Sequence, residues 1–295
     1  METVRPCGCK GIRTCLTCEA QFNIVKPDLK QKLQEKPSYI YCPHCDKAWP
    51  GWDIELYKQH PHHIGDAIDY PGVFIELDFL STEETTTLIK SLDKLPWEPS
   101  QSGRRKQNFG PKCNFKKRKL RMGTFNGFPQ TTEFVQKKLS EVPILNKFRT
   151  VEQCTLEYNP ERGASIDPHI DDCWIWGERV VTVNVLGNSA LTMTPYIGPI
   201  TRYNLDYVEN YSSDVSNKIE MKEDIVVRLP LPAKSLMVLY GPARYSWEHS
   251  ILREDVTRRR VCLAYRELTP PYLENGLHEK EASEILEKAT MFWIT

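Results

Sequence analysis

The chain of 295 residues has no charge excess: 39 Lys and Arg stand against 39 Asp and Glu. A protein without a net field does not gather nucleic acid or acidic partners by overall charge, so any such affinity must come from a local patch. It also lacks a long apolar run. No stretch approaches the roughly 18 residues of a membrane span, and the start, Met1-Glu2-Thr3-Val4-Arg5-Pro6-Cys7, has no apolar segment of secretory-signal length. The expectation is a cytoplasmic and nuclear protein with no membrane partner. No internal repeat is present. In a reducing compartment, the ten cysteines are thiols or metal ligands rather than disulfides.

Length allows one large catalytic domain plus a small accessory module. Cys7, Cys9, Cys15 and Cys18 form a CxC followed five residues later by a CxxC. Four thiolates this close suit tetrahedral zinc, which holds a short segment folded where no core can. Cys42 and Cys45, in Cys42-Pro43-His44-Cys45, complete that site or form a second one. Lys26 to Lys36 is polar without an apolar period and is expected to be an exposed linker. His60, His62 and His63 look metal-like, but Pro61 breaks any helical spacing and no cysteine or carboxylate follows at ligand distance. A surface loop is the expectation there.

From Tyr70 the pattern is that of a folded domain. Val73 to Leu77 reads as a strand, and Ser81-Thr82-Glu83-Glu84 is a capping box opening a helix to about Asp93. A second helix is predicted over Thr131 to Ser140. Beyond Val151 come short runs rich in Val, Leu and Tyr: 153–158, 179–186, 190–196, 224–229, 235–240 and 260–268. Short strands between Gly, Pro and Asn clusters predict an antiparallel sandwich buttressed by the two helices, an α+β class that is mainly β. Glu279 to Phe292 is predicted to close the chain as an amphipathic helix, with Ile285, Leu286, Ala289 and Phe292 on one side. The expected division is a Cys-rich module and linker over 1–50, supporting helices and a basic lid over 51–150, and the sandwich over 151–295.

The chemistry is carried by Asp167-Pro168-His169-Ile170-Asp171 and by His249, 80 residues later. On an extended segment, His169 and Asp171 point to one face, as two ligands of one ion must. Two imidazoles and one carboxylate on one face of iron(II) leave positions open for a chelating co-substrate and oxygen. An isolated HxD arises easily by chance. Arg260 and Arg266 add to it: they share a strand face, with only Cys262 and Ala264 between them. Their α-carbons lie about 20 Å apart at about 3.3 Å per residue, so long side chains leaning inward can bracket a five-carbon diacid. A solvated basic edge is the competing account, given Arg258 and Arg259, but the alternate face of Val261, Leu263 and Tyr265 is apolar.

In order, Tyr158 with Pro160, the HxD at 169–171, the strand Pro232-Ala233-Lys234-Ser235-Leu236-Met237-Val238-Leu239, His249 and RxxxxxR at 260–266 resemble the AlkB family of iron(II)- and 2-oxoglutarate-dependent dioxygenases. The segment Ser102 to Pro111 resembles the one preceding that family's substrate lid. The resemblance covers essentially residues 1 to 290. It implies a double-stranded β-helix (jelly roll), iron held by His169, Asp171 and His249, and 2-oxoglutarate held by Arg260, Arg266 and Tyr158. By the same resemblance, Arg260 takes the far carboxylate and Arg266 the end that chelates iron. Leu156 stands where many relatives carry Asn. Oxygen splitting with release of succinate and carbon dioxide would oxidise a nearby C–H bond, and an N-methyl group so oxidised leaves as formaldehyde.

Residues 99 to 123 hold nine basic side chains and no acidic one: Arg104, Arg105, Lys106, Lys112, Lys116, Lys117, Arg118, Lys119 and Arg121, interleaved with Phe109 and Phe115. Phosphates with a flipped base on an aromatic suit such a lid. An acidic protein surface suits it too, with Trp49 and Trp52 as a further binding face. The resemblance admits methyl-lysine in a protein such as actin and N6-methyladenine in DNA, acted on by a monomer. Asp172 is placed to meet a methylammonium, and Trp174 and Trp176 to stack a base or fill the core. A non-catalytic adaptor for cytoskeletal or chromatin partners is the rival class, and the intact ligand set argues against it.

Overall fold

The computed structural model describes residues 5–210 and 224–294. Two seven-stranded sheets lie face to face. The first runs, in spatial order, Val73–Glu76, Ser235–Leu239, Trp176–Leu186, Arg260–Leu268, Glu152–Tyr158, Arg105–Phe109 and Glu98–Pro99, all antiparallel. The second runs Ile166–His169, Trp247–Ile251, Ser189–Pro195, Val226–Leu231, Ser38–Cys42, Lys47–Pro50 and Ile68–Asp69, with a single parallel pairing, of Ser38–Cys42 on Val226–Leu231.

Alternation along the strands of the first sheet sets two cores. One face presents Val181, Val183, Leu236, Val238, Leu263 and Tyr265 to the helices Thr82–Leu92 and Glu133–Glu141, whose Leu88, Leu92, Val135 and Leu139 are buried against it. The other presents Tyr158, Val180, Met237, Leu239 and Cys262 to Leu191, Met193, Val227, Leu229, Trp247 and Ile251 of the second sheet. Each such side chain contributes about 1.5–3 kcal/mol of burial. The double-stranded β-helix therefore has one buttressed wall and an inner space shared by both sheets. The predicted capping box is present: Ser81 Oγ accepts from Glu84 N, and Glu84 Oε2 accepts from Ser81 N at 2.7 Å. The carboxylate of Glu84 also bridges to Lys138 of the second helix at 2.8 Å.

The predicted strands are all present, with ends shifted by up to three residues. Three segments differ. Leu29–Gln34, inside the expected linker, is a helix capped by Asp28; its Leu29 and Leu33, one turn apart, pack on Val226 and Leu252. The hairpin of Ser38–Cys42 and Lys47–Pro50 extends the second sheet. The last helix stops at Lys288, four residues early, because Phe292–Trp293 pairs in parallel with Phe128–Pro129. None of the described helices is long and apolar enough to cross a membrane.

Candidate active site

His169 and His249 are cross-strand partners in the second sheet, their rings 4.2 Å apart. Asp171 lies just past the end of the Ile166–His169 strand, and the three ligand atoms lie within 4.8 Å of one another. His169 Nδ1 lies 2.9 Å from the carbonyl of Asp167; donation to it leaves Nε2 free for a metal. Burial pushes both imidazoles below their ordinary pKa, His249 further because His169 faces it. Burial alone would raise the Asp171 carboxyl, but Arg266, with His249, His169 and Arg244, outweighs it and holds that group far below the usual range. The set therefore rests as two neutral imidazoles and one carboxylate, with no proton for a divalent cation to displace.

The first sheet supplies the rest. Arg260 is opposite Tyr158 and Arg266 opposite Glu152, so all four side chains project from one face. Arg260 is 1% exposed, donates from Nε to Asn184 Oδ1 at 2.8 Å, lies 4.8 Å over the Tyr158 ring, and leaves Nη1 buried without a partner among the described residues. Arg266 donates to both oxygens of Asp171, at 3.0 and 3.1 Å, and to Glu152 at 2.6 Å. Leu156 shares the inner face and packs into the apolar core, so the polar grip on Arg260 comes instead from Asn184 on the next strand. Two contributors carry no local sequence signal: Asn184, and Arg244, which is buried and donates to the carbonyl oxygens of Asp171, Trp176 and Gly177.

Register divides the basic segment. Lys106 is opposite Leu156 and therefore faces the site, and Arg104 lies 5.9 Å over the Tyr158 ring. Arg105 and Phe109 point the other way. Arg105 chelates the buried Glu157 with two bonds of 2.6 Å, and Phe109 packs edge-on against Trp293. Arg162 and Arg259 complete the ring of guanidinium groups around Glu157. Phe115, half exposed, is on the turn between the strands Lys112–Asn114 and Lys119–Arg121, and it meets the buried Trp174 edge-on. Trp176 is buried beneath Arg266, and Asp172 accepts from Asn204 Nδ2 and Trp174 N. Trp49 stacks on His63, and Trp52 lies under Arg228.

Cys7, Cys9, Cys15 and Cys18 converge, with all four sulfurs within 4.8 Å. Arg253, just past the His249 strand, anchors this module through Glu19 at 2.7 and 2.9 Å. The turn beneath it needs Gly163, at φ +61°, where a Cβ would come within 2.6 Å of Leu16.

No protein-family model matches the chain. It is 39% identical over 304 residues, 99% of this chain and 96% of the relative, to "Alpha-ketoglutarate-dependent dioxygenase alkB homolog 4" of Mus musculus. The Homo sapiens protein of the same name is also 39% identical, over 99% of this chain and 95% of its own. The chain belongs to the AlkB family of Fe(II)/2-oxoglutarate-dependent dioxygenases. A more distant relative, "DNA N6-methyl adenine demethylase" of Caenorhabditis elegans, is 29% identical over 95% of this chain and 93% of its own. The family's cofactors fit the residues present. The 2-His-1-carboxylate set suits iron(II), and the partnerless Nη1 of Arg260 suits a carboxylate. The N-terminal cluster of four cysteines is a structural zinc site by its donor set and convergence.

Proposed function

We propose that the chain is an oxidative N-demethylase, acting as a monomer on methyl-lysine in a protein such as actin or on N6-methyladenine in DNA. One observation carries the reading: a complete iron-binding triad faces a buried arginine that lacks an anionic partner among the described residues. Iron(II) with 2-oxoglutarate supplies oxygen activation and oxidation of a C–H bond, with succinate and carbon dioxide as co-products.

The chain's residues position these reactants. His169, Asp171 and His249 hold the metal, and the Asp167 carbonyl and Arg244 fix two of those ligands. Arg260 and Tyr158 would hold one carboxylate of 2-oxoglutarate, and Arg266, which steadies Asp171, would hold the other. Arg104 and Lys106 border the inner face, while Phe115 and the exposed Lys112, Lys116, Lys117, Lys119 and Arg121 offer a basic rim to an acidic protein surface or a phosphate backbone. An oxidised N-methyl group leaves as formaldehyde, so the residues need only present the methyl carbon to the metal and exclude water.

The test is anaerobic reconstitution with iron(II) and 2-oxoglutarate, followed by oxygen, with succinate and formaldehyde measured against methyl-lysine peptide, methylated actin and N6-methyladenine DNA. Formaldehyde with one substrate and none from His249→Ala is expected. A wild type that forms neither the metal-to-co-substrate absorption band nor succinate would leave the adaptor account standing.

A further inference from the structure

A second group of metal-ligating side chains lies outside the active site. Cys42, Cys45, His60 and His63 bring one ligand atom each to within 4.8 Å of one another. We propose that these four residues bind a second structural zinc ion, through two thiolates and two imidazoles, at a site separate from the N-terminal cluster of four cysteines.

The two sulfurs come from the hairpin joining Ser38–Cys42 to Lys47–Pro50. There Cys45 N and Asp46 N both donate to the Cys42 carbonyl, and Asp46 takes φ +55°. This tight turn brings the ends of the CxxC together. The two imidazoles follow the 3-10 turn Ile54–Gln59. In sequence, 14 residues separate Cys45 from His60, and the histidines are spaced HxxH, one residue tighter than the usual H-x3–5-H of about 12–15-residue zinc hairpins.

The surroundings are those of a bound metal rather than of four incidental side chains. His63 Nε2 is buried and has no hydrogen-bonding partner among the described residues, the state an imidazole takes when a lone pair serves a metal. The ring is held by Trp49, stacked at 4.6 Å and 23°. The same Trp49 donates from Nε1 to Cys45 Sγ at 3.4 Å, an outer bond of the kind that supports a metal thiolate. Cys42 is wholly buried. His44 and His62, although adjacent, are outside the group.

The site also has mechanical work to do. At this edge only Ile40, Cys42 and Tyr57 of the apolar cluster are buried, while Trp49, Ile54, Leu56 and Leu77 cover them only in part, a thin core for a segment that carries a turn and a loop. Zinc there would tie residues 54–63 to the hairpin and so finish the outer strands of the second sheet, as such ions do where a core is thin. Both thiols would bind as thiolates, each releasing a proton to solvent on metal uptake. The histidines do lie in a surface loop, as expected; their convergence with Cys42 and Cys45 is not legible in the sequence because Pro61 hides the spacing and because the cysteines precede the histidines.

The experiment uses the full chain with the triad filled by iron(II) and 2-oxoglutarate under argon, so that zinc is not counted there. Elemental analysis should give two zinc ions per chain, and zinc-edge absorption should average three sulfurs and one nitrogen per zinc. Cys45→Ser with His63→Ala should leave one zinc with an all-sulfur shell; Cys9→Ser with Cys15→Ser should leave one with a mixed shell. One zinc per wild-type chain in an all-sulfur shell would overturn the proposal, and because that measurement needs no variant, misfolding cannot mimic it.

Discussion

Replacing Arg260 by methionine separates holding the co-substrate from holding the fold. The arginine side chain is 1% exposed, its Nε is satisfied by Asn184, and its Nη1 has no partner among the described residues. A charge-assisted bond to a carboxylate contributes about 1.5–3 kcal/mol. Losing a two-bond grip at the lower end of that range costs about 3 kcal/mol, or about a hundredfold in Kd for 2-oxoglutarate. The apo protein should barely notice. The thioether would leave Asn184 Oδ1 one bond short, a cost of about 1 kcal/mol, but removal of an incompletely paired buried cation offsets it. The assay is calorimetric titration of 2-oxoglutarate into the manganese(II)-loaded protein, beside urea unfolding at pH 7. Arg260→Lys should fall between, since it keeps the charge and loses the fork. Unchanged affinity with stability lowered by about 3 kcal/mol would refute the assignment and make Arg260 a structural residue.

Other consequences follow from the same geometry. Glu157, ringed by three arginines, is held down to about 2 from an ordinary 4.5 despite its burial, so its contribution, on the order of 3 kcal/mol, is complete above pH 4.5 and is lost as pH falls toward 2. The stability gap between wild type and Glu157→Gln, read by urea unfolding at pH 7, 5 and 3, should therefore shrink with acid; a constant gap would contradict it. Arg244→Leu leaves three buried carbonyls short of a donor and should cost about 3 kcal/mol, together with weakened metal binding by titration, because Asp171 loses its backbone brace. Asn184→Ala should raise the KM for 2-oxoglutarate about tenfold by releasing the Arg260 side chain, at the cost of about one charge-assisted bond, while the KM for substrate stays constant. Ser81→Ala should cost about 1 kcal/mol through the lost cap and leave turnover unchanged.

The strands and the triad are legible in the chain because both obey local periods. Alternation marks Arg260–Leu268 to the residue, and His169 with Asp171 needs only an extended backbone to share a face. What depends on partners distant in sequence is not legible. Leu29 and Leu33 read as part of a polar linker until Val226 and Leu252 give them something to cover. Arg104 and Arg105 are alike in composition, and only pairing with Glu152–Tyr158 turns one toward the site and the other toward Glu157. Asn184 reads as an interruption in a run of valines, yet that polar amide is what a buried guanidinium requires of its neighbour.

Arg266 belongs to one sheet and grips Asp171 at the margin of the other. Once a cation draws on the Asp171 charge, the guanidinium is held less tightly by its carboxylate and becomes a better host for a second anion. The two occupancies are then reciprocal: metal strengthens co-substrate binding by the factor by which co-substrate strengthens metal binding. A cell short of iron would thus need more 2-oxoglutarate to fill this enzyme, and a cell rich in that acid would fill the metal site at a lower iron concentration than the affinity for iron alone would dictate.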